Sequence, residues 1–207
     1  MVHFKLTYFN GRGLAEVSRQ LFHLAGVPFE DHRVTEEEFE KLKPTLPTGQ
    51  VPILYIDDVP FHQSTAIARY LARKFGFVGK TLEEELRADA IVDTFKDFIA
   101  SFRQLAMAIL TGSQEVTKIR EEIAKPAAKI WLSYIHKILE NSQSGFLVGS
   151  QLTWADLVAA DSVTTCLNTD LLKDSESEFQ KLSDFRSRIL ATSELADYFS
   201  KRPQTLL

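Results

Sequence analysis

Cysteine is nearly missing from this chain: among its 207 residues, Cys166 stands alone. A lone cysteine excludes an internal disulfide framework, a Cys-x-x-Cys redox pair and an all-cysteine zinc site. It suits a reducing compartment, and a cytoplasmic location is the expectation. Every apolar run is too short to span a membrane, so no membrane partner is expected. Met1-Val2-His3-Phe4-Lys5 leads straight into a strand pattern, without the apolar stretch of a signal peptide. Positive charge is in deficit. The 24 Lys and Arg against 28 Asp and Glu leave a net charge of −4, which argues against nucleic acid as a partner. The five histidines (His3, His23, His32, His62 and His136) lack zinc-ligand spacing, and no metal requirement is expected. Repeats and low-complexity segments are missing too.

What the chain has is enough apolar residue, 44%, for one large core or two small ones. Its pattern changes partway along. Lys5 to Phe9 alternates as a short strand. Asn10-Gly11-Arg12-Gly13 reads as a loop. Leu14 to Ala25 is predicted helical, with Leu14, Val17, Leu21 and Leu24 on one face and Gly26 at its end. Phe29 to Val34 is a second strand, parallel to the first in a β-α-β unit. Thr35 to Lys43 is a short helix with Glu36, Glu37 and Glu38 at its positive end. Ile53 to Asp57 and Val59 to His62 form a hairpin about Asp57-Asp58. Ser64 to Lys74 is a helix closed by Gly76. This order is a thioredoxin-like layout.

Beyond a linker at Phe77 to Lys80, no strand pattern is left. Thr81-Leu82-Glu83-Glu84 reads as a capping box that opens a long helix, ended by Gly112-Ser113. A second long helix is predicted from Gln114 to Asn141, kinked or broken at Pro126. Thr153-Trp154-Ala155-Asp156 opens another helix, with Asp156 read as a structural cap. Two more helices cover Phe179–Leu190 and Glu194–Lys201.

Two local features together describe a site for a small acidic peptide. Proline at the start of a buried-looking strand, Val51-Pro52-Ile53-Leu54, is unusual because it has no N–H for a sheet. With the Val51–Pro52 bond cis, the N–H and C=O of Val51 face outward, where a peptide could pair as an added strand. Gln63-Ser64-Thr65 then places a helix N-terminus nearby, with N–H groups suited to a carboxylate. Each feature alone has an ordinary structural reading. Joined by a short hairpin, they are more specific.

The series Lys5-Leu6-Thr7-Tyr8-Phe9-Asn10, Arg12-Gly13, Ala15-Glu16, Pro47 to Leu54, His62-Gln63-Ser64 and Ala66 to Leu71 resembles the cytosolic glutathione transferases. It continues with Asp89 to Asp93, Leu152 to Asp156 and Lys201-Arg202-Pro203-Gln204-Thr205, so it covers almost the whole chain. The resemblance is to the sigma-type branch, which includes glutathione-dependent prostaglandin D synthases, and to its nematode relatives. It implies a glutathione transferase fold: an α/β thioredoxin-like domain over residues 1–77 and an all-α domain over residues 78–207. It also implies a homodimer that conjugates glutathione, its co-substrate, to small hydrophobic electrophiles in detoxification.

Residue by residue, the resemblance implies that Tyr8 is catalytic, its O–H donating to the glutathione sulfur. The helix N-terminus near Gly13 and Leu14 is expected to assist. Gly49, Gln50, Val51 and Pro52 match the positions that pair with the cysteinyl unit. Gln63 and Ser64 match the holders of the γ-glutamyl carboxylate. Lys43 matches a cation at the glycyl carboxylate, and an ordinary solvated lysine is its alternative. Phe39 stands where relatives often carry Trp. Asp97 matches an acid reaching the ligand from the other subunit, with an exposed helix carboxylate as its alternative. For the electrophile, candidate walls are Phe9, Gly11, Gly13, Leu14, Ile99, Phe102, Arg103, Gln104, Met107 and the tail Leu206-Leu207. Leu14 replaces an arginine usual in sigma-type relatives. Lys96 interrupts the acidic group that gathers a divalent cation in the prostaglandin synthases. Two alternatives stay open: a glutathione-dependent prostaglandin D isomerase, and a non-catalytic carrier of hydrophobic ligands such as haem.

Overall fold

Strand β1 (Phe4–Phe9) lies inside a four-stranded sheet of order β2-β1-β3-β4, in a computed structural model that describes residues 2–173, 175 and 177–205. The chain divides into two units. One takes the sequence through Phe77 together with the segment from Ala191, and the other runs from Val78 to Leu190.

In the first unit, β2 (Glu30–Val34) pairs parallel to β1, with Lys5 opposite Glu30 and Phe9 opposite Val34. Strands β3 (Ile53–Ile56) and β4 (Val59–His62) complete the sheet in antiparallel fashion. The crossover from β1 to β2 is helix α1 (Glu16–Leu24), reached through a 3-10 turn at Gly13–Ala15. The expected helix start at Leu14 is therefore delayed to Glu16. Gly13 has φ +40°, a left-handed conformation that no regular right-handed helix contains. Helix α2 (Glu36–Leu42) follows β2, and α3 (Ser64–Phe75) follows the hairpin and ends on Gly76 in the left-handed conformation. Helices α1 and α3 pack together. They bury Leu21, Phe22, Ile67, Leu71 and Ala72 with Phe4 and Leu6 of β1. Each such large side chain contributes roughly 1.5–3 kcal/mol through apolar burial. Phe29 is not part of β2. It stacks on Phe22 with centroids 4.3 Å apart, and the strand begins one residue later.

The second unit opens with α4 (Leu82–Leu110). Half of the expected capping box forms: Thr81 Oγ1 accepts from the N–H of Glu84 at 3.2 Å. The Glu84 carboxylate reaches one residue further back and accepts from the N–H of Lys80. The helix predicted from Gln114 to Asn141 is three pieces: α5 (Val116–Ile119), a π-turn at Arg120–Ala124 and α6 (Lys125–Glu140). Pro126 explains the break. It sits in the first turn of α6, where its missing N–H has no partner to lose, and the wide π-turn before it relieves the ring's clash. Helix α7 (Trp154–Asn168) is the buried centre of the unit, with eleven buried residues from Trp154 to Cys166. Asp156 is fully buried at its start and accepts from the N–H of Leu147 and from both the N–H and the hydroxyl of Thr153, each at 2.8 Å. Its reading as a structural cap agrees with these bonds. Helix α8 (Gln180–Leu190) closes the unit.

Helix α9 (Ser193–Lys201) belongs to the first unit and packs on α1. Among the described residues, no helix is long and apolar enough to cross a membrane.

Candidate functional site

Tyr8 is half-buried near the end of β1, and the chain turns back on it through Gly13. The backbone N–H of Leu14 donates to Tyr8 Oη at 3.2 Å. A phenol oxygen that accepts from a backbone N–H is a stronger donor of its own proton, because chained hydrogen bonds polarise one another. The close approach depends on glycine. A Cβ at position 13 would lie 2.5 Å from Tyr8 Oη. The ring is bracketed by Phe9 at 5.6 Å and by the Arg19 guanidinium at 5.8 Å.

Leu14 also lines a small cavity of about 50 Å³, with Thr48, Gln50, Val51, Pro52, His62, Gln63 and Ser64. The fold thus gathers Gln50, Val51, Pro52, Gln63 and Ser64, expected at the glutathione site, and brings to them Leu14, expected at the electrophile wall. The Val51–Pro52 bond is cis. Gln63 has φ 74° and ψ 106°, a conformation non-glycine residues rarely adopt, and it immediately precedes the first residue of α3. The first N–H groups of α3 have no partner within the helix, a donor arrangement suited to a carboxylate.

Phe39, Lys43 and Gly49 form a second group in the same unit. Thr35 caps α2: its hydroxyl accepts from the N–H of Glu38 at 3.2 Å, and Glu38 accepts from the N–H of Thr35 at 2.8 Å. Bonding to the backbone N–H of Thr35 first, and to the Thr35 side chain second, holds the Glu38 carboxyl below its ordinary range. The capped helix presents Phe39 against Phe9, with centroids 4.9 Å apart. Lys43 lies beyond the helix end, its Nζ 3.3 Å from Glu40 and 5.7 Å from the Phe39 ring. Gly49 has φ +63°, and a Cβ there would sit 3.6 Å from the Lys43 stem.

The remaining candidates lie on α4, in the other unit. Asp97, Arg103, Gln104 and Met107 are exposed, and Ile99 is half-buried. Ile99, Arg103 and Met107 follow one another at four-residue spacing and so share one face of α4. Phe102 is buried in its own unit, stacked on Phe98. Lys96 is paired with Asp93 at 2.7 Å. Leu206 and Leu207 lie outside the described residues. No group of three or more His, Cys, Asp or Glu suited to a metal ion occurs among the described residues.

Three residues escaped the sequence reading. Thr48 and His62 stand next to candidates and complete the small cavity. Arg19 is fully buried and donates to the carbonyls of Gly11 at 2.6 Å and Arg12 at 3.3 Å. The available signal was an arginine three residues after Glu16 in a helix otherwise ready to be buried.

Comparison with known proteins agrees along the whole chain. The family described as glutathione S-transferase, N-terminal domain, matches residues 4–73, and that described as glutathione S-transferase, C-terminal domain, matches residues 96–202. Glutathione S-transferase 3 of Caenorhabditis elegans is 62% identical, covering 99% of each chain. Hematopoietic prostaglandin D synthase of Gallus gallus is 40% identical over all of both chains. The crystal structure of monomeric Na-GST-3, a glutathione S-transferase of the hookworm Necator americanus, superimposes with a TM-score of 0.87 at 36% identity, covering 98% of each chain.

Proposed function

The chain belongs to the glutathione S-transferase family, and from that premise we propose how its residues carry the family's chemistry. The enzyme transfers the thiolate of glutathione to apolar electrophiles. A free thiol titrates near ~8.5, so only a few per cent is ionised at neutral pH. Lowering that value by about two units takes about 2.7 kcal/mol of differential stabilisation, more than one ordinary hydrogen bond supplies. The bond from the Leu14 N–H to Tyr8 Oη carries this reading. It couples the phenol to a backbone dipole at the head of the 3-10 turn, so that Tyr8 donates to sulfur with that dipole behind it. The thiol proton leaves to solvent. The sulfur pair then forms the bond to the electrophilic carbon, and the displaced group departs with its bonding electrons.

In this reading the rest of the tripeptide falls to neighbouring residues. Val51, with Gln50 and the adjoining Gly49 and Pro52, pairs with the cysteinyl backbone in the manner of an added strand. Gln63, Ser64 and the amino end of α3 take the γ-glutamyl carboxylate. Phe39 and Lys43 receive the glycyl end, Lys43 by charge. Asp97 of a partner subunit reaches the α-amino group. Phe9, Gly13 and Leu14 receive the electrophile.

The protein acts as a cytoplasmic homodimer in this reading. Strand β4 is an edge strand exposed along its whole length, and it carries Val59 and Phe61, with Tyr70 also exposed on α3. An apolar edge of this kind is ordinarily covered.

Tyr8→Phe tests the central assignment. Turnover with a panel of electrophiles should fall by more than about tenfold while the KM for glutathione changes little, because the lost interaction is made to the ionised sulfur. Unchanged turnover would remove Tyr8 from the mechanism. Including prostaglandin H2 in the panel, with analysis of the product, decides for or against the isomerase activity named for the avian relative.

A further inference from the structure

The strongest unexplained feature of the first unit is its buried charge. Arg19 is fully buried on α1, away from bulk water, and does not itself line the cavity. Burying a guanidinium is costly unless each of its donors is satisfied. Here one guanidinium collects the loop between β1 and the 3-10 turn: it donates to the carbonyls of Phe9 at 3.4 Å, Gly11 at 2.6 Å and Arg12 at 3.3 Å. Its Nε is held by Asp31 of β2 at 2.9 Å. The second oxygen of Asp31 accepts from Arg33, which in turn donates to Asn10 of the same loop.

The first residue of α1, one turn before Arg19, anchors this arrangement. Glu16 lies 3.8 Å from Arg19 and is itself buried. It accepts from Tyr198 Oη at 2.9 Å and from Arg202 at 2.5 Å. Two residues from the far end of the sequence thus hold the carboxylate beside the arginine. Burial and the neighbouring carboxylate push the Tyr198 phenol up, so it stays a neutral donor.

We propose that Arg19 is a positioning residue for thiolate formation: by gathering the carbonyls of the loop it keeps the Leu14 N–H aimed at Tyr8 Oη, and Glu16, Tyr198 and Arg202 hold it in place. This rests on the assignment of Tyr8 above. The loop has no regular secondary structure to fix its course, and the next residues, Gly13 and Leu14, must sit against the phenol. A rigid fork with several donors suits that task, and a lysine's single point charge does not.

The test is titration of bound glutathione by the ultraviolet absorbance of its thiolate, in wild type, Arg19→Lys, Tyr8→Phe and the double variant. In Arg19→Lys the thiol should become about tenfold less acidic, about one pKa unit. The KM for glutathione should change by less than about threefold, since the cavity walls are untouched. In the Tyr8→Phe background, Arg19→Lys should add no further shift, because its effect passes through the phenol. A folded Arg19→Lys enzyme with an unshifted thiol overturns the proposal. So does an equal shift in both backgrounds, which would mean that Arg19 acts on sulfur without Tyr8. If Tyr8→Phe alone leaves the thiol unshifted, the Tyr8 assignment fails and the proposal with it. Should Arg19→Lys be recovered unfolded, Asp31→Asn decides. It removes the charge and one of the two acceptor oxygens that Arg19 and Arg33 share, and a thiol about threefold less acidic supports the proposal, whereas an unmoved one overturns it.

Discussion

At Gly13 a missing side chain matters more than any present one. The residue has φ +40°, and a Cβ would stand 2.5 Å from Tyr8 Oη, 2.8 Å from Cε1 and 3.0 Å from Cζ. Gly13→Ala must therefore push the phenol aside or unwind the turn, in addition to the cost of a left-handed alanine. A displacement near 1 Å at a reacting group costs up to about a hundredfold in rate. Gly13→Ala should lower kcat/KM by about tenfold to a hundredfold while far-ultraviolet circular dichroism stays that of the wild type. The motif Arg12-Gly13 was legible in the sequence as part of a series. That its glycine touches the tyrosine five residues earlier was not, because the contact exists only once the loop has turned back on β1.

Helix α2 is short, lacks a buried residue and has little packing to hold it. Its order rests heavily on the reciprocal bonds between Thr35 and Glu38. Losing such a cap costs about 1 kcal/mol. In Thr35→Ala the helix frays, and with it the placement of Phe39 and Lys43. Those two residues are assigned to the glycyl end, far from the reacting sulfur, so the loss falls on binding. The KM for glutathione should rise by about twofold to fivefold and kcat should stay near that of the wild type. Elements of this kind were readable from local signals: acidic residues in the first turn, glycine after the last. The break at Arg120–Ala124 was readable only as a warning at Pro126. A proline announces that the ladder is interrupted, but whether the chain kinks, stops or widens into a π-turn depends on what it packs against.

For the molecule as a whole, two properties follow from surfaces and buried charge. Val59 and Phe61 on β4 are about half exposed, at 54% and 46%. If a second copy covers them, Phe61→Glu should convert a dimer into a monomer in sedimentation analysis. Wild-type sedimentation as a monomer, the state named for the Necator americanus relative, would refute the homodimer. Asp156 gives the pH response. Burial raises its carboxyl to about 6, against the pull of its bonds from Leu147 and Thr153. Between the ordinary aspartate value of 3.8 and about 6, the folded state holds a proton that the unfolded state has lost. Stability from this group is thus greatest below pH ~4, falls as the pH rises to about 6 and is flat above that. In urea unfolding, the stability of wild type relative to Asp156→Asn should decline over that window by up to about 3 kcal/mol. The sequence alone determined most of the order of elements, because periodicity, caps and turn residues act over a few positions, and it carried the family resemblance and with it Gln50, Val51, Pro52, Gln63 and Ser64 of one cavity. Tertiary structure alone decided that Leu14 donates to Tyr8, that Arg19 gathers the intervening carbonyls, and that Tyr198 and Arg202 meet Glu16. Those contacts join residues up to 186 positions apart, and a buried charge finds its partners only when the chain has closed around it.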